Sequence, residues 1–273
     1  MGVALASVRG EDVAEAGRRL AATRPTAVNL AWGVSRAVAA PDPVAEAVRV
    51  AEEDVERNRA IGAHGSALLA DGDRVMTHCN AGSLACVGYG TAVGVIRAAH
   101  EAGRALSVWV PETRPVLQGA RLTAWELGRL GIAHRLVADV MAASLMAAGD
   151  VDSVVVGADR IAANGDVVNK IGTYALAVLA DHHGIPFYVA CPTSTFDPGS
   201  PDGASVPIEL RPPEEVTTIA GVQIAPEGTE VENRAFDVTP AALVTAYITE
   251  TGVAPGGRPL KPEDGLSDGG GSG

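Results

Sequence analysis

A thiol and a carboxylate, each placed just past a short apolar run, are the side chains of this chain best suited to chemistry. Cys79 follows the run from Arg74 to His78 and precedes Asn80, Gly82 and Ser83. If the run is a strand and the next segment a helix, the helix N-terminus stabilises a thiolate and equally an incoming phosphate. By type alone a free cysteine is more often one more small buried apolar residue. Asp159 follows Val154, Val155 and Val156 across Gly157 and Ala158. A carboxylate there is partly desolvated, which raises its pKa and suits it to proton transfer. The even alternative is a helix cap or an ion pair with Arg160. Gln118, Arg121, Asn169 and Lys170 stand near expected helix starts, where a hydroxyl or phosphate could be met; for any single one, solvated surface is the blander reading. Cys86 and Cys191 read as apolar-run residues, and His182 and His183 as a helix end favourable to its dipole.

Those side chains need elements to carry them. Glu11 to Ala22 and Asp42 to Ala60 show helical spacing without an internal proline, interrupted by Arg24-Pro-Thr-Ala-Val-Asn-Leu. From about residue 72 short β-rich runs alternate with helical patterns. The expected strands are Arg74 to His78, Ala105 to Val110, His134 to Ala138, Ser153 to Val156 and Phe187 to Ala190. The expected helices are Ala85 to Ala102, Val116 to Leu130, Ala142 to Ala148 and Thr173 to His183, with a last one over Ala241 to Thr251. Such alternation predicts an α/β fold: a Rossmann-like parallel sheet, residues 63–254, preceded by a small helical domain, residues 1–62. The tail, 255–273, is rich in Gly, Pro, Ser and Asp and is expected to be disordered. In an open parallel sheet ligands sit beyond the carboxyl ends of the strands. Thr77 to Ser83, Pro111 to Pro115, Asp139, Gly157 to Arg160 and Pro192 to Thr195 all fall there, so reactive side chains collect on one edge.

Composition narrows the partners. The formal net charge of -12 argues against nucleic acid, whose affinity comes largely from Lys and Arg. It leaves room for a small anion, which needs only a local cluster of donors. The first residues show no apolar leader pattern, and no run approaches the roughly 20 apolar residues that cross a bilayer. Cys79, Cys86 and Cys191 cannot all pair and lack zinc spacing, so no metal and a reduced cytoplasmic setting are expected. Gly88-Tyr-Gly90-Thr-Ala-Val-Gly94 is spaced GxGxxxG and lies inside an expected helix, which argues against a dinucleotide loop.

Several longer blocks carry a resemblance. They are Arg24-Pro-Thr-Ala-Val-Asn-Leu, Asn58-Arg-Ala-Ile-Gly-Ala-His-Gly, Cys79-Asn-Ala-Gly-Ser and Glu112-Thr-Arg-Pro-Val-Leu-Gln-Gly-Ala-Arg-Leu-Thr-Ala-Trp-Glu-Leu. Further on come Gly157-Ala-Asp-Arg-Ile-Ala-Ala-Asn-Gly-Asp, Asn169-Lys-Ile-Gly-Thr and Phe236-Asp-Val-Thr-Pro. Together they resemble the methylthioribose-1-phosphate isomerase family, related to the regulatory subunits of initiation factor 2B, up to about Val253. The resemblance implies a homodimeric enzyme that turns 5-methylthioribose 1-phosphate into 5-methylthioribulose 1-phosphate in methionine salvage, without metal or nucleotide. It implies Cys79 and Asp159 as the catalytic pair, and Arg24, Gln118, Asn169 and Lys170 as substrate-binding residues. Asp159 would handle the ring-oxygen proton. Cys79 would shuttle a proton through an enediolate or stabilise charge during a hydride shift, and Arg24 and Lys170 would hold the phosphate.

Two departures stand out. The family's Arg-Gly-Ala-Pro-Ala segment, part of its phosphate site, has no counterpart here. Met1-Gly-Val-Ala-Leu-Ala resembles the residues that directly follow it, so Met1 is expected to be internal to a longer chain. Arg234 stands where the family usually has a proline. Two rivals are a ribose-1,5-bisphosphate isomerase, which needs a second anion site, and a non-catalytic regulatory subunit of the initiation-factor type. Retention of Cys79 and Asp159 argues against the second.

Overall fold

The computed structural model describes residues 1–257. The expected disordered tail lies, but for its first residues, outside the described residues. The chain opens with helices α1 (Gly2–Val8), α2 (Val13–Ala21), α3 (Val28–Ala39) and α4 (Pro43–Ser66). Asp12 and Asp42 cap α2 and α4, each accepting from two backbone N–H groups of the first turn, and Pro43 sits where a missing N–H costs nothing. The interruption at Arg24 is shorter than its sequence suggests, because α3 begins at Val28.

The rest of the chain is β1 (Arg74–Met76), α5 (Ala92–Glu101), β2 (Ser107–Pro111), α6 (Ala124–Arg129), β3 (Ala133–Val137), α7 (Ala142–Ala147), β4 (Ser153–Val156), β5 (Arg160–Ala162) and β6 (Val167–Lys170). Then come α8 (Thr173–His182), β7 (Phe187–Ala190), β8 (Phe196–Asp197), α9 (Glu214–Thr217), β9 (Thr218–Ile219), β10 (Val222–Gln223), β11 (Phe236–Thr239), β12 (Ala246–Thr249) and β13 (Gly252–Pro255). The main sheet has seven strands in the order β13-β12-β7-β4-β1-β2-β3, all parallel except for β13 against β12. This is the strand order of a Rossmann sheet, with its topological switch between β1 and β4. A second sheet, β11-β6-β5-β8, stands beside it, and β9 and β10 form a hairpin.

Alternate side chains along the central strands feed two cores. Val75, Val155, Ala190 and Ile248 pack with Ile61 of α4, Ile96 of α5 and Leu127 of α6. Met76, Val154, Val156, Val189 and Tyr247 pack with Met146 of α7 and Leu176 of α8. Helices therefore cover both faces, and reactive groups are left the carboxyl edge. Among the described residues no helix is long and apolar enough to cross a membrane.

Three expectations are corrected. Ala241–Thr251 is not a helix: a short turn, Ala241–Leu243, leads into β12, whose four residues are all buried. A fully buried strand shows a continuous apolar run, which periodicity cannot tell from a helix. The expected helix from Ala85 starts only at Ala92, because Tyr89 and Gly90 have positive φ (68° and 88°) and Gly82 pairs with Gly90 across the loop. Last, the expected helix from Val116 opens as a π-helical turn, Gly119–Thr123, before α6.

Candidate active site

The carboxyl ends of β1 and β4 deliver Cys79 and Asp159 to the switch point, at the wall of a cavity of about 830 Å³. Arg24, Gln118, Asn169 and Lys170 line the same cavity as Cys79 and Asp159. Arg121 does not reach it; its guanidinium donates to the Val116 carbonyl at 3.2 Å on the surface.

Cys79 is not followed by a helix, as expected, but by the loop Asn80–Thr91. Its own φ is 57°, a left-handed conformation that a non-glycine residue keeps only where its surroundings impose it. Here the surroundings are two threonines. The Cys79 N–H donates to Thr113 Oγ1 at 2.9 Å, and the Thr123 hydroxyl donates to the Cys79 carbonyl at 2.5 Å. Thr113 is in turn fixed by Asp139, which accepts from the backbone N–H groups of Thr113 and Arg114 at 2.7 Å each. Burial pushes the Cys79 thiol up to about 11, against smaller opposing pulls from the Asn80 backbone, Lys170 and Arg24. The thiol is therefore neutral near pH 7, and the thiolate expected from a helix N-terminus is absent at rest. Alkylation of Cys79 by iodoacetamide should be slow at pH 7–8, where an ordinary thiol of pKa about 8.5 is already partly ionised, and should accelerate up to about pH 11. Peptide mass spectrometry over time at each pH checks this; a rate that levels off below pH 9 contradicts it.

The loop after Cys79 is gathered by one buried acid. Glu126 accepts from the backbone N–H of Ser83 at 2.8 Å, that of Leu84 at 3.2 Å, the Ser83 hydroxyl at 2.5 Å and Asn80 Nδ2 at 2.9 Å. Gly82 sits so close that a Cβ there would collide with the Glu126 carboxylate. The glycine run Gly88-Tyr-Gly90 thus belongs to the strand-to-helix loop and not to a helix, which removes position as an argument against a dinucleotide; the spacing argument stands. Gly90 approaches Gly82 backbone, so its lack of a side chain serves the loop itself.

Asp159 is held by its backbone, which donates to Val168 at 3.0 Å and accepts from Val28 at 3.3 Å. Its carboxylate accepts from Arg24 Nη2 at 3.3 Å, while Arg160 pairs instead with Asp197 at 2.7 Å. Burial keeps the Asp159 carboxyl above the usual carboxylate range, against Arg24 and then Lys170, with Glu209 adding to the rise. Arg160 also reaches back to the carbonyls of Pro25 and Thr26, and Glu209 accepts from the Thr26 N–H. Those contacts fix the segment that carries Arg24.

Asn169 and Lys170 lie on β6 and not at a helix start. Asn169 donates to Thr173 Oγ1 at 3.0 Å, and Lys170 Nζ donates to the Ala235 carbonyl at 2.9 Å, 4.5 Å from the centre of the Phe236 ring. Each cavity-lining arginine has a carboxylate partner: Arg24 with Asp159, Arg57 with Glu53, Arg211 with Glu215 and Arg234 with Glu232. Lys170 has no carboxylate within 4.0 Å among the described residues, which leaves its charge for an anion. Among the described residues no group of acidic, His and Cys side chains could hold a metal ion.

Sequence reading assigned no role to Thr113, Thr123, Glu126 or Asp139. Their partners lie far away in sequence, so no local pattern points to them.

Residues 9–256 match the sequence profile of the Initiation factor 2 subunit family. The chain belongs to that family. Within it, the chain is 57% identical over 258 residues to the methylthioribose-1-phosphate isomerase of Albidiferax ferrireducens, covering 90% of this chain and 71% of the relative. It is 61% identical over 239 residues to the enzyme of the same name from Anaeromyxobacter dehalogenans, covering 86% and 70%. Among solved structures it is similar to 5-methylthioribose 1-phosphate isomerase from Pyrococcus horikoshii, with a TM-score of 0.81 and 48% identity over 89% of this chain and 71% of that one. It is similar as well to the delta subunit of translation initiation factor eIF-2B from A. fulgidus, with a TM-score of 0.80 and 48% identity over 93% and 80%. This family membership bears out the resemblance and the α/β fold read from the sequence.

Proposed function

We propose that this chain is an aldose–ketose isomerase that converts 5-methylthioribose 1-phosphate into 5-methylthioribulose 1-phosphate. The observation that carries it is the meeting of a half-buried acid, Asp159, and a neutral thiol, Cys79, at the switch point beside Lys170, a cation with no carboxylate partner among the described residues. The names of the relatives at 57% and 61% identity support the same reading. The test is turnover of 5-methylthioribose 1-phosphate by the purified chain, with ribose 1,5-bisphosphate as the competing substrate. No turnover of either would leave the regulatory-subunit reading.

The reaction sets the tasks. The bond between C1 and the ring oxygen breaks, and that oxygen takes a proton. The hydrogen on C2 moves to C1, and the C2 hydroxyl loses its proton as the ketone forms. Asp159 is the acid for the ring oxygen: burial raises its pKa, against Arg24 and Lys170, which favours the protonated form more than in an ordinary carboxyl. Having given its proton to the ring oxygen, Asp159 is a carboxylate. In a proton route it takes the C2 hydrogen as a proton, while Cys79 gives its own to C1 and regains one from the C2 hydroxyl. In a hydride route the C2 hydrogen crosses to C1 with its electron pair past the neutral thiol, and the carboxylate takes the hydroxyl proton. Lys170 and Arg24 hold the phosphate, with Gln118 and Asn169 on the sugar. Trp32 and Leu84 give the cavity apolar wall for a methylthio group.

The same reading makes the chain a cytoplasmic homodimer, with a helical unit over 1–62 and a catalytic unit over 63–254; α4 crosses that boundary to pack on the sheet. Sedimentation would read the dimer. Lys170→Ala should raise KM about ten- to a hundredfold while kcat changes little, because a charge-assisted phosphate contact made equally in ground and transition states is lost from both. A fall in kcat at constant KM would move Lys170 from phosphate anchor to chemistry.

A further inference from the structure

Cys79 is flanked by two side chains whose acceptor atoms face no protein donor. His78 is 3% exposed, and its Nε2 lies 2.8 Å from the Ile171 carbonyl. A carbonyl can only accept, so Nε2 carries the hydrogen and, in the neutral ring, Nδ1 is a bare acceptor. Burial lowers the pKa of the imidazole and keeps it neutral, against the pull of Ile171 and Asp139. Nδ1 is buried and without a partner among the described residues. Asn80 is fixed in the same way. Its Nδ2 donates to Glu126 Oε1 at 2.9 Å and to Thr123 Oγ1 at 3.1 Å, and the carboxylate settles which end of the amide faces it. Oδ1 is therefore a true acceptor, and it too is buried without a partner. Both residues line the cavity that holds Cys79 and Asp159.

We propose that His78 Nδ1 and Asn80 Oδ1 accept hydrogen bonds from the two ring hydroxyls of the sugar, O2 and O3, and so set the face that the furanose turns to Cys79. This rests on the sugar-phosphate reading above. Both anchors are built into the scaffold: Ile171 ends the β6 region that carries Lys170, and Glu126 holds the loop that carries Asn80. A buried acceptor left unmade is costly and a hydroxyl is the neutral donor that repairs it, so discrimination follows from the structure of the wall itself. A substrate without those hydroxyls would meet two unpaired acceptors. Inorganic phosphate, drawn to the Lys170 charge, carries no ring hydroxyls to meet them.

The test uses binding and not turnover, because O2 takes part in the reaction. The unmodified chain should bind 5-methylthioribose 1-phosphate about five- to a hundredfold more tightly than its 2-deoxy and 3-deoxy analogues, the range expected for a buried partner left unmade. In Asn80→Ala and His78→Phe, one analogue each should bind as well as the parent, because the acceptor that discriminated is gone. The second measurement needs no variant. The ¹⁵N resonance of His78 Nδ1 should move upfield when the sugar phosphate binds, and should stay in place with inorganic phosphate at saturating concentration. Equal affinity for parent and deoxy analogues, full discrimination retained by both variants, or an unmoved Nδ1 resonance would overturn the proposal. Failure to bind the parent sugar phosphate at all would overturn the functional reading instead, and this assignment with it.

Discussion

Cys79→Ser and Asp159→Asn each lower kcat by at least about a hundredfold with the fold intact, since positioned acid–base groups contribute about 10²–10⁴ in rate. The expectation differs for the two in form. Asp159→Asn removes the proton donor for the ring oxygen but keeps a polar group of the same size that Arg24 can still approach. Its loss should also remove a pH dependence. Because the folded pKa of Asp159 is raised, its protonated share falls as pH rises through that value, so kcat of the unmodified chain should decline on the alkaline side and the Asn variant should not follow. Cys79→Ser exchanges a thiol of pKa about 11 for a far weaker acid in the same left-handed turn, so Thr113 and Thr123 still grip the backbone. Turnover in deuterated water separates the routes left to Cys79: solvent deuterium at C1 marks proton delivery, and its absence marks a hydride shift. Circular dichroism and kcat of each variant decide the matter, and near-normal turnover by a folded variant removes that residue from the chemistry.

Why the pair could be found in the sequence, and much around it could not, follows from the range of the forces involved. The strands at Ser153–Val156 and Phe187–Ala190 were legible to the residue, because short β-branched and aromatic runs bounded by Gly or Pro are a local signal. The strand-end rule placed Cys79 and Asp159 on the reactive edge among several others, and the family resemblance singled them out as a pair. The second sheet was not foreseen: β5 and β6 join through a tight turn at Gly165, and β11 arrives from more than sixty residues away to pair Asn169 with Asp237. That pairing, absent from any local pattern, turned an expected helix start into a strand bearing Asn169 and Lys170. The loop before α5 carries a local sign in Gly82, Gly88 and Gly90, but not its anchor. What holds it open is the distant carboxylate of Glu126.

That carboxylate gives the second large expected effect. Glu126 is 3% exposed and is the shared acceptor for Ser83, Leu84 and Asn80. Glu126→Ala leaves those donors without a partner in a protein interior, and each buried donor left unmade costs about 1–3 kcal/mol. Even with partial repair by water, a loss of about 3 kcal/mol is expected from the several donors left unmade. Glu126→Gln keeps the shape, but its amide nitrogen must turn toward at least one of the same donors, so it should recover only part of that loss. The loop joins Cys79 to α5, so kcat should fall with it, by about tenfold or more if reacting groups shift by an ångström. Urea unfolding gives the stability change, and hydrogen exchange at the Ser83 and Leu84 amides shows whether the loop is where it was lost. If those amides stay protected in Glu126→Ala, the loop holds itself and the carboxylate is not its anchor. If they exchange freely in Glu126→Ala and slow again in Glu126→Gln, one buried side chain is what gathers the loop that follows Cys79.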